Sequence, residues 1–358
     1  MAVYKDKERG TWYVSYRFTD AFGEHQRKVK RGFRTRAEAN QWEREDRMKE
    51  EFSTKMKLFK FYEIYEKDVR HRTKESTWAT KEHIIETKIL PFLGNMEISQ
   101  ITPRTIRIWQ DKVMKMRDEN GKLYSSSYLA TIHSQLSAML NHAVKFYGLR
   151  TNPAKAAGGM GSKKTREMKF WTQDEYSQFI ETMMDKPVSY YGFQMLYWCG
   201  LRIGELLALT PNDFDFRKGT VSITKNYQRI KGKDMITDPK TEKSIRTIMM
   251  PKFLCEEMED YIGMYYGIEP TDRIFRNTKR YYEHEIERGA KEAGLEQIRV
   301  HDLRHSHVSL LIEMGFSALA IADRVGHESI RITLHYAHLF PTKQLEIADR
   351  LDELKGAV

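Results

Sequence analysis

Gly200-Leu201-Arg202-Ile203-Gly204-Glu205-Leu206-Leu207 is the stretch from which the rest of this 358-residue chain can be read. Gly200 permits a tight turn into a helix and puts Arg202 in its first turn. A guanidinium is a planar five-donor fork suited to two oxygens of one phosphate. Glu205, three residues on, shares a helical face with Arg202 and is placed to hold it. The same two residues also fit an ordinary helical salt bridge, so the stretch needs company before it means more.

That company lies C-terminal to it. Pro239-Lys240-Thr241, with Ser244 and Arg246, falls on a turn and strand; a lysine there is solvent-exposed in most proteins, but beside a phosphodiester it can donate a proton to a leaving alkoxide. His301-Asp302-Leu303-Arg304-His305 puts His301, Arg304 and His305 on one side of a helix, an imidazole and a guanidinium for a single anion. His301 and His305 also have the spacing of two helical zinc ligands, but position 302 lacks the glutamate of the zinc-protease pattern and Arg304 would repel a cation. Val325-Gly326-His327 follows, and Thr333-Leu334-His335-Tyr336-Ala337-His338 ends the series. A tyrosine hydroxyl is a poor nucleophile at its free pKa of about 10. It can attack phosphorus once the phosphate charge is neutralised, and two arginines, a lysine and two histidines would do that without a metal.

Outward from this set the chain divides into zones. Residues 1–56 contain an alternating run, Thr11-Trp12-Tyr13-Val14-Ser15-Tyr16-Arg17-Phe18, that predicts a strand. Ala21-Phe22-Gly23 supplies a turn, and the basic run 26–34 predicts a second strand with room for a third. A helix from Thr35 would cover the sheet with Ala37, Ala39 and Trp42. Residues 57–155 look all-helical: Leu58, Phe61, Tyr62 and Tyr65 fall at helical spacing, as do Ile85 and Ile89. Thr102-Pro103 reads as a helix start, with Ile106, Ile108 and Trp109 in a helix ending near Asn120-Gly121. Ser125 to Ser127 start another helix, with Ile132, Leu136, Met139, Leu140 and Ala143 along one stripe. Residues 156–165 read as a basic, flexible linker; Ser162 interrupts the Gly-Lys step a phosphate loop requires. Residues 166–358 open on a capping box, Thr172 to Glu175, and run mostly helical around a β-rich interlude between Gly219 and Met250. The fold class is therefore multidomain and mainly α, with a small N-terminal sheet plus helix and a small sheet inside the C-terminal zone.

Composition agrees and excludes little. Sixty Lys and Arg against fifty Asp and Glu give a net charge of +10, and 40% hydrophobic with 12% aromatic content supports packed cores. Cys199 and Cys255 are the two cysteines, too few for a disulfide scaffold or a cysteine zinc site, and they fit a reducing cytoplasm. No apolar run approaches the roughly 20 residues of a membrane helix, and the N-terminus lacks a signal-peptide pattern. A basic chain of this kind most often meets nucleic acid, although charge alone also fits anionic lipid.

Taken in order, GLRIGELLAL, PKTEKSIRTI, HDLRHSH, VGHES and TLHYAH resemble the tyrosine recombinase family, in particular integrases of temperate phages and integrative conjugative elements. The resemblance spans roughly residues 166–340. It extends to Gly94, Ile101-Thr102 and Asn152-Pro153 of a helical core-binding domain, and more weakly to a three-stranded arm-binding domain at 1–56. It implies that Arg202 and Arg304 clamp the non-bridging oxygens, that Tyr336 is the nucleophile, and that Lys240 is the general acid for the leaving 5′-oxygen. His301 would assist proton transfer with the tyrosine, His327 would hydrogen-bond the phosphate, and Glu205 and His305 would support. No cofactor or metal is implied. The expected partners are double-stranded DNA at core and arm sites, three further copies in a tetramer, an excisionase and a host DNA-bending protein, at the nucleoid of a bacterial cytoplasm. Arg27, Lys28, Lys30 and Arg31 are candidate arm-DNA contacts, although a basic strand also serves as a solvated, edge-protecting face. An apolar stripe, Leu345, Ile347, Leu351 and Leu354, suits a tail docked on a neighbouring copy; packing on its own subunit is the alternative. A type IB topoisomerase would share the chemistry but needs no N-terminal zone or tail. A DNA-binding regulator of the same fold predicts loss of a catalytic residue, and none is missing. A metal nuclease predicts a carboxylate cluster near the histidines, and a chromosome-dimer resolvase usually lacks residues 1–56.

Overall fold

The computed structural model describes residues 3–7, 9–19, 25–51, 56–162, 168–239, 241–334 and 336. The chain forms two compact units, 1–165 and 166–358. The first begins with an antiparallel sheet in the order β1 (Val3–Asp6), β2 (Thr11–Thr19), β3 (His25–Phe33). The third strand is thus Val3–Asp6, ahead of the alternating run, rather than a part of 26–34: β3 is one continuous nine-residue strand. The expected turn at Ala21-Phe22-Gly23 lies outside the described residues.

Period-two alternation sorts the sheet into two faces. Val14, Tyr16 and Phe33 are buried on one, where helix α1 (Arg36–Glu51) lays Ala39 and Trp42 against them. Ala37, expected to join them, is exposed. Opposite, Tyr13, Ser15 and Arg17 pair across the strands with Arg31, Val29 and Arg27.

Helices α2 (Leu58–Arg70), α3 (Glu75–Ile84), α4 (Leu90–Leu93), α5 (Pro103–Met114), α6 (Ser126–Phe146) and α7 (Pro153–Ala157) make the rest of the first unit. Their core joins Leu58, Phe61, Ile85, Ile89, Ile106, Trp109 and the Ile132–Ala143 stripe, all nearly or fully buried. Between α3 and α4 the chain widens into a π-helical turn, Ile85–Ile89, just before Pro91, which has no N–H to give an α-helical bond. Thr102 caps α5 through Thr105 N, with Pro103 at the first helical position. Two expectations fail here. Ile108 is 51% exposed, and α5 ends at Met114, because residues 117–123 form a small turn with Asp118 accepting from the Asn120 and Lys122 amides. Asn152-Pro153 starts the short helix α7, with Asn152 Oδ1 accepting from the Ala154 amide at 2.8 Å. Residues 156–162 are also less free than a flexible linker: Met160 is buried in this core, and the Ser162 amide donates to Ser126 Oγ at 2.7 Å.

The second unit contains α8 (Gln173–Glu181), α9 (Pro187–Trp198), α10 (Ile203–Leu206), β4 (Phe214–Asp215), β5 (Thr220–Ile223), β6 (Asn226–Ile230), β7 (Lys233–Thr237), β8 (Arg246–Met249), α11 (Lys252–Gly263), α12 (Lys279–Glu292), α13 (Asp302–Glu313), α14 (Ala318–Val325) and α15 (Ile330–Leu334). The expected capping box at Thr172 is complete. Strands β4, β5 and β8 form one antiparallel sheet, and β6 and β7 form a separate hairpin. Helix α9, apolar almost all round, runs through a core that includes Phe179, Phe193, Tyr197, Phe275 and Tyr282. Both cysteines are buried in this unit, and burial pushes the Cys199 thiol up to about 12. The apolar tail stripe lies outside the described residues. No helix among the described residues is long and apolar enough to cross a membrane.

Candidate active site

Helix α9 ends at Cys199, and Gly200, at φ +61°, turns the chain into α10. A Cβ at Gly200 would lie 2.6 Å from the His307 ring, so both handedness and space demand glycine. Arg202 follows as the N-cap of α10. Its amide donates to Glu205 Oε2 at 3.0 Å and its Nη1 to Glu205 Oε1 at 2.6 Å. The helical salt bridge is therefore present, and Arg202 still has Nη2 on Gly326 O at 3.1 Å and a side chain 35% exposed.

Helix α13 supplies the second cation. Arg304 is almost fully enclosed, donating through Nη1 to Gly200 O at 2.8 Å and through Nη2 to Val325 O. The last carbonyls of α14 thus take one guanidinium each: Arg324 O from Arg246, Val325 O from Arg304 and Gly326 O from Arg202. A helix C-terminus carries unpaired carbonyls and the negative end of the macrodipole, which makes it a place where cations can gather. Gly326 lets the chain leave α14 in the left-handed region, and a Cβ there would meet Arg246 Cδ at 3.0 Å.

Tyr336 is buried among Val308, Ile312, Ile321 and Val325, with its hydroxyl hydrogen-bonded to His305 Nδ1. Burial pushes that hydroxyl up to about 12, against a smaller opposing pull from Arg304. His305 Nε2 lies 3.7 Å from Asp302 Oδ1, whose carboxylate is otherwise held by Arg299. His301 stands edge-on to His305 with ring centres 5.2 Å apart. His327 Nδ1 pairs with Thr333 Oγ1 at 2.8 Å. Burial, then the charges of Arg304 and Arg202, take His327 down to about 3. Partial burial, then His305 and Arg304, take His301 to about 4, and burial lowers His305 too. All three imidazoles are neutral near pH 7 and can accept protons.

Of the residues singled out in the sequence, Arg202, Glu205, His301, Arg304, His305, His327 and Tyr336 come together; Lys240 lies outside the described residues. The tyrosine's hydrogen-bond partner is His305, not His301. Among the described residues no three His, Cys, Asp or Glu side chains form a group suited to a metal ion. Sequence reasoning gave no role to Arg246, Arg324 and His307. Arg324 donates through Nε to His307 Nε2 at 3.2 Å and also reaches the Trp198 and Met249 carbonyls, binding α9, β8, α13 and α14 at one point. The signal for His307 was available: it follows Leu303 by four residues, on the inward stripe of α13. In the other unit, Arg27 and Arg31 lie on the exposed sheet face with Arg17, whereas Lys28 and Lys30 lie over the Trp42 ring at 5.9 and 4.9 Å.

Three family models match in succession: an arm DNA-binding domain over residues 2–47, a phage integrase N-terminal SAM-like domain over 57–114, and the phage integrase family over 169–343. The ICEBs1 integrase of Bacillus subtilis (strain 168) is 30% identical over 297 residues, 79% of each chain. A Tn1549 transposon integrase solved with circular intermediate DNA shares the fold at TM-score 0.65 and 21% identity, over 83% of this chain and 99% of that one. A lambda integrase tetramer bound to a Holliday junction shares it at TM-score 0.59 and 18% identity, over 94% of both chains. With motifs, fold and relatives in agreement, this chain belongs to the phage integrase family, as a tyrosine recombinase of the phage and integrative-conjugative-element type.

Proposed function

We propose that this site-specific recombinase cuts and rejoins DNA through Tyr336, integrating and excising a mobile element. Arg202 and Arg304 bind the non-bridging oxygens of the scissile phosphate and offset the charge that grows on them. Tyr336 Oη bonds to phosphorus as the bond from phosphorus to the 5′-oxygen breaks, leaving a 3′-phosphotyrosine and a 5′-hydroxyl. The tyrosine proton passes to a histidine of the site, and Lys240 supplies the proton to the departing oxygen. His301 aids the proton transfer and His327 hydrogen-bonds the phosphate, with Glu205 and His305 in support. Because the phosphotyrosine keeps the bond energy, a 5′-hydroxyl of the partner duplex can attack it and complete exchange without ATP, metal or organic cofactor.

The observation that carries this reading is the convergence of two guanidiniums and the His305–Tyr336 pair at the end of α14. The fold shared with a tetramer solved on a Holliday junction supports a tetramer here, with the apolar tail stripe as the joint between neighbouring copies. The match to an arm DNA-binding domain supports arm-site recognition by Arg27, Lys28, Lys30 and Arg31. An excisionase and a host DNA-bending protein are proposed as partners, at the nucleoid of a bacterial cytoplasm. Covalent trapping tests the chemistry. Incubated without metal on a nicked suicide duplex carrying the core site, the wild type should give a denaturation-resistant protein–DNA band and Tyr336→Phe should give none. A band that survives the substitution would show that another residue is the nucleophile.

A further inference from the structure

Arg246, on β8, is enclosed where Arg202 is open: its side chain is 6% exposed against 35%. Its Nη1 and Nη2 donate to Glu205 Oε1 at 3.2 Å and Oε2 at 2.9 Å, a fork-to-fork pair across 41 residues of sequence. Its Nε donates to Arg324 O and its Nη1 also to Ser244 O, each at 3.0 Å. Those same two Glu205 oxygens receive the Arg202 amide and Nη1, and Glu205 itself is 3% exposed. One buried carboxylate therefore serves two guanidiniums.

The charge balance follows directly. An isolated Arg202–Glu205 pair would be neutral, and a neutral pair has little long-range attraction for a phosphate. With Arg246 included the trio carries +1, and since Arg246 is enclosed, the surplus faces outward at Arg202. In a site of low dielectric that difference is large. We propose that Arg246 is a positioning residue for strand cleavage: by engaging both Glu205 oxygens it lets that carboxylate orient Arg202 without neutralising it, so that Arg202 meets the scissile phosphate as a cation. The same guanidinium anchors the segment just after Lys240 and the turn before His327 to one point. The inference rests on the assignment of Arg202 to the phosphate.

Single-turnover cleavage by the full chain on a suicide duplex tests it. R246Q should cut a natural phosphodiester about 100-fold more slowly than wild type, with core-site affinity close to wild type. On a duplex with a methylphosphonate at the scissile position, which removes the charge the clamp must meet, the gap between R246Q and wild type should narrow to within about tenfold. Adding E205Q to R246Q removes the unbalanced carboxylate and should restore about tenfold of the lost rate. R246K keeps the charge and should cut faster than R246Q, and it carries the comparison should R246Q not fold. A defect equal on both substrates, a double variant no better than R246Q, or R246K as slow as R246Q would overturn the charge argument and leave Arg246 a packing residue. R202A is the control for the underlying assignment: if it cuts at the wild-type rate, the phosphate clamp itself is misplaced, whereas an inactive R202A beside a fully active R246Q overturns this inference alone.

Discussion

Tyr336 is among the least accessible side chains of the second unit, and its hydroxyl is harder to ionise than a free phenol because it has left water. As the proposed nucleophile, a hydroxyl in that state depends on a base already in contact, and His305, uncharged near neutral pH, is the one the geometry supplies. His305→Ala should slow single-turnover cleavage by about 100-fold, while His301→Ala should cost less if His301 acts at second hand. A larger defect in His301→Ala than in His305→Ala would return the tyrosine's proton to His301. The candidates for the reacting residues were legible in the sequence because their chemistry is local: an Arg, a His-x-x-Arg step and a Tyr each announce themselves. Which histidine touches the tyrosine was not legible, since both share a helix side and the choice depends on where the chain after α15 returns. Nor was Arg246, whose role exists only through a carboxylate far away in sequence.

Among the elements, two buried histidines act as ties, His307 of α13 to Arg324 of α14 and His327, just past α14, to Thr333 of α15, and this sets a pH limit on the unit. Burial, with Arg324 beside His307 and Arg304 beside His327, takes both imidazoles from 6.5 to about 3. They stay neutral in the folded protein but protonate in the unfolded chain below 6.5. The unfolded state then binds more protons, so stability is fully present above that value and declines as pH falls toward the folded-state pKa. The decline should reach at most about 1.4 kcal/mol per histidine per pH unit. Urea midpoints measured near pH 7 and near pH 5 check this, and an unchanged midpoint would contradict neutral burial. At this scale the sequence predicted caps and stripes well: Thr102 and Thr172 cap as their chemistry requires, and the helix expected to start within 125–127 is capped by Ser125. It failed at Val3–Asp6, a four-residue strand with alternate charges whose pairing with β2 no local pattern reveals, and at Ile108, which sits beside the apolar stripe of its helix without facing the core.

For the whole molecule, the excess of ten positive charges matters less than where it is placed. The four basic residues of β3 divide by strand alternation: Arg27 and Arg31 stand with Arg17 on an open face edged by Tyr4 and Tyr13, while Lys28 and Lys30 lie over Trp42. Replacing Arg17, Arg27 and Arg31 together with Ala should weaken arm-site binding and reduce its salt slope by about three, leaving core-site cleavage largely intact; Lys28 and Lys30 replaced together should do less. Equal losses of arm binding and core cleavage would sink the assignment. The buried state of Cys199 and Cys255 has a practical side. With neither native thiol exposed to maleimide or iodoacetamide, a cysteine introduced at a solvent-facing position such as Tyr266 becomes the reactive one. A single dye can then be placed without stripping the native cysteines, and strand exchange can be watched one molecule at a time on an otherwise unaltered enzyme.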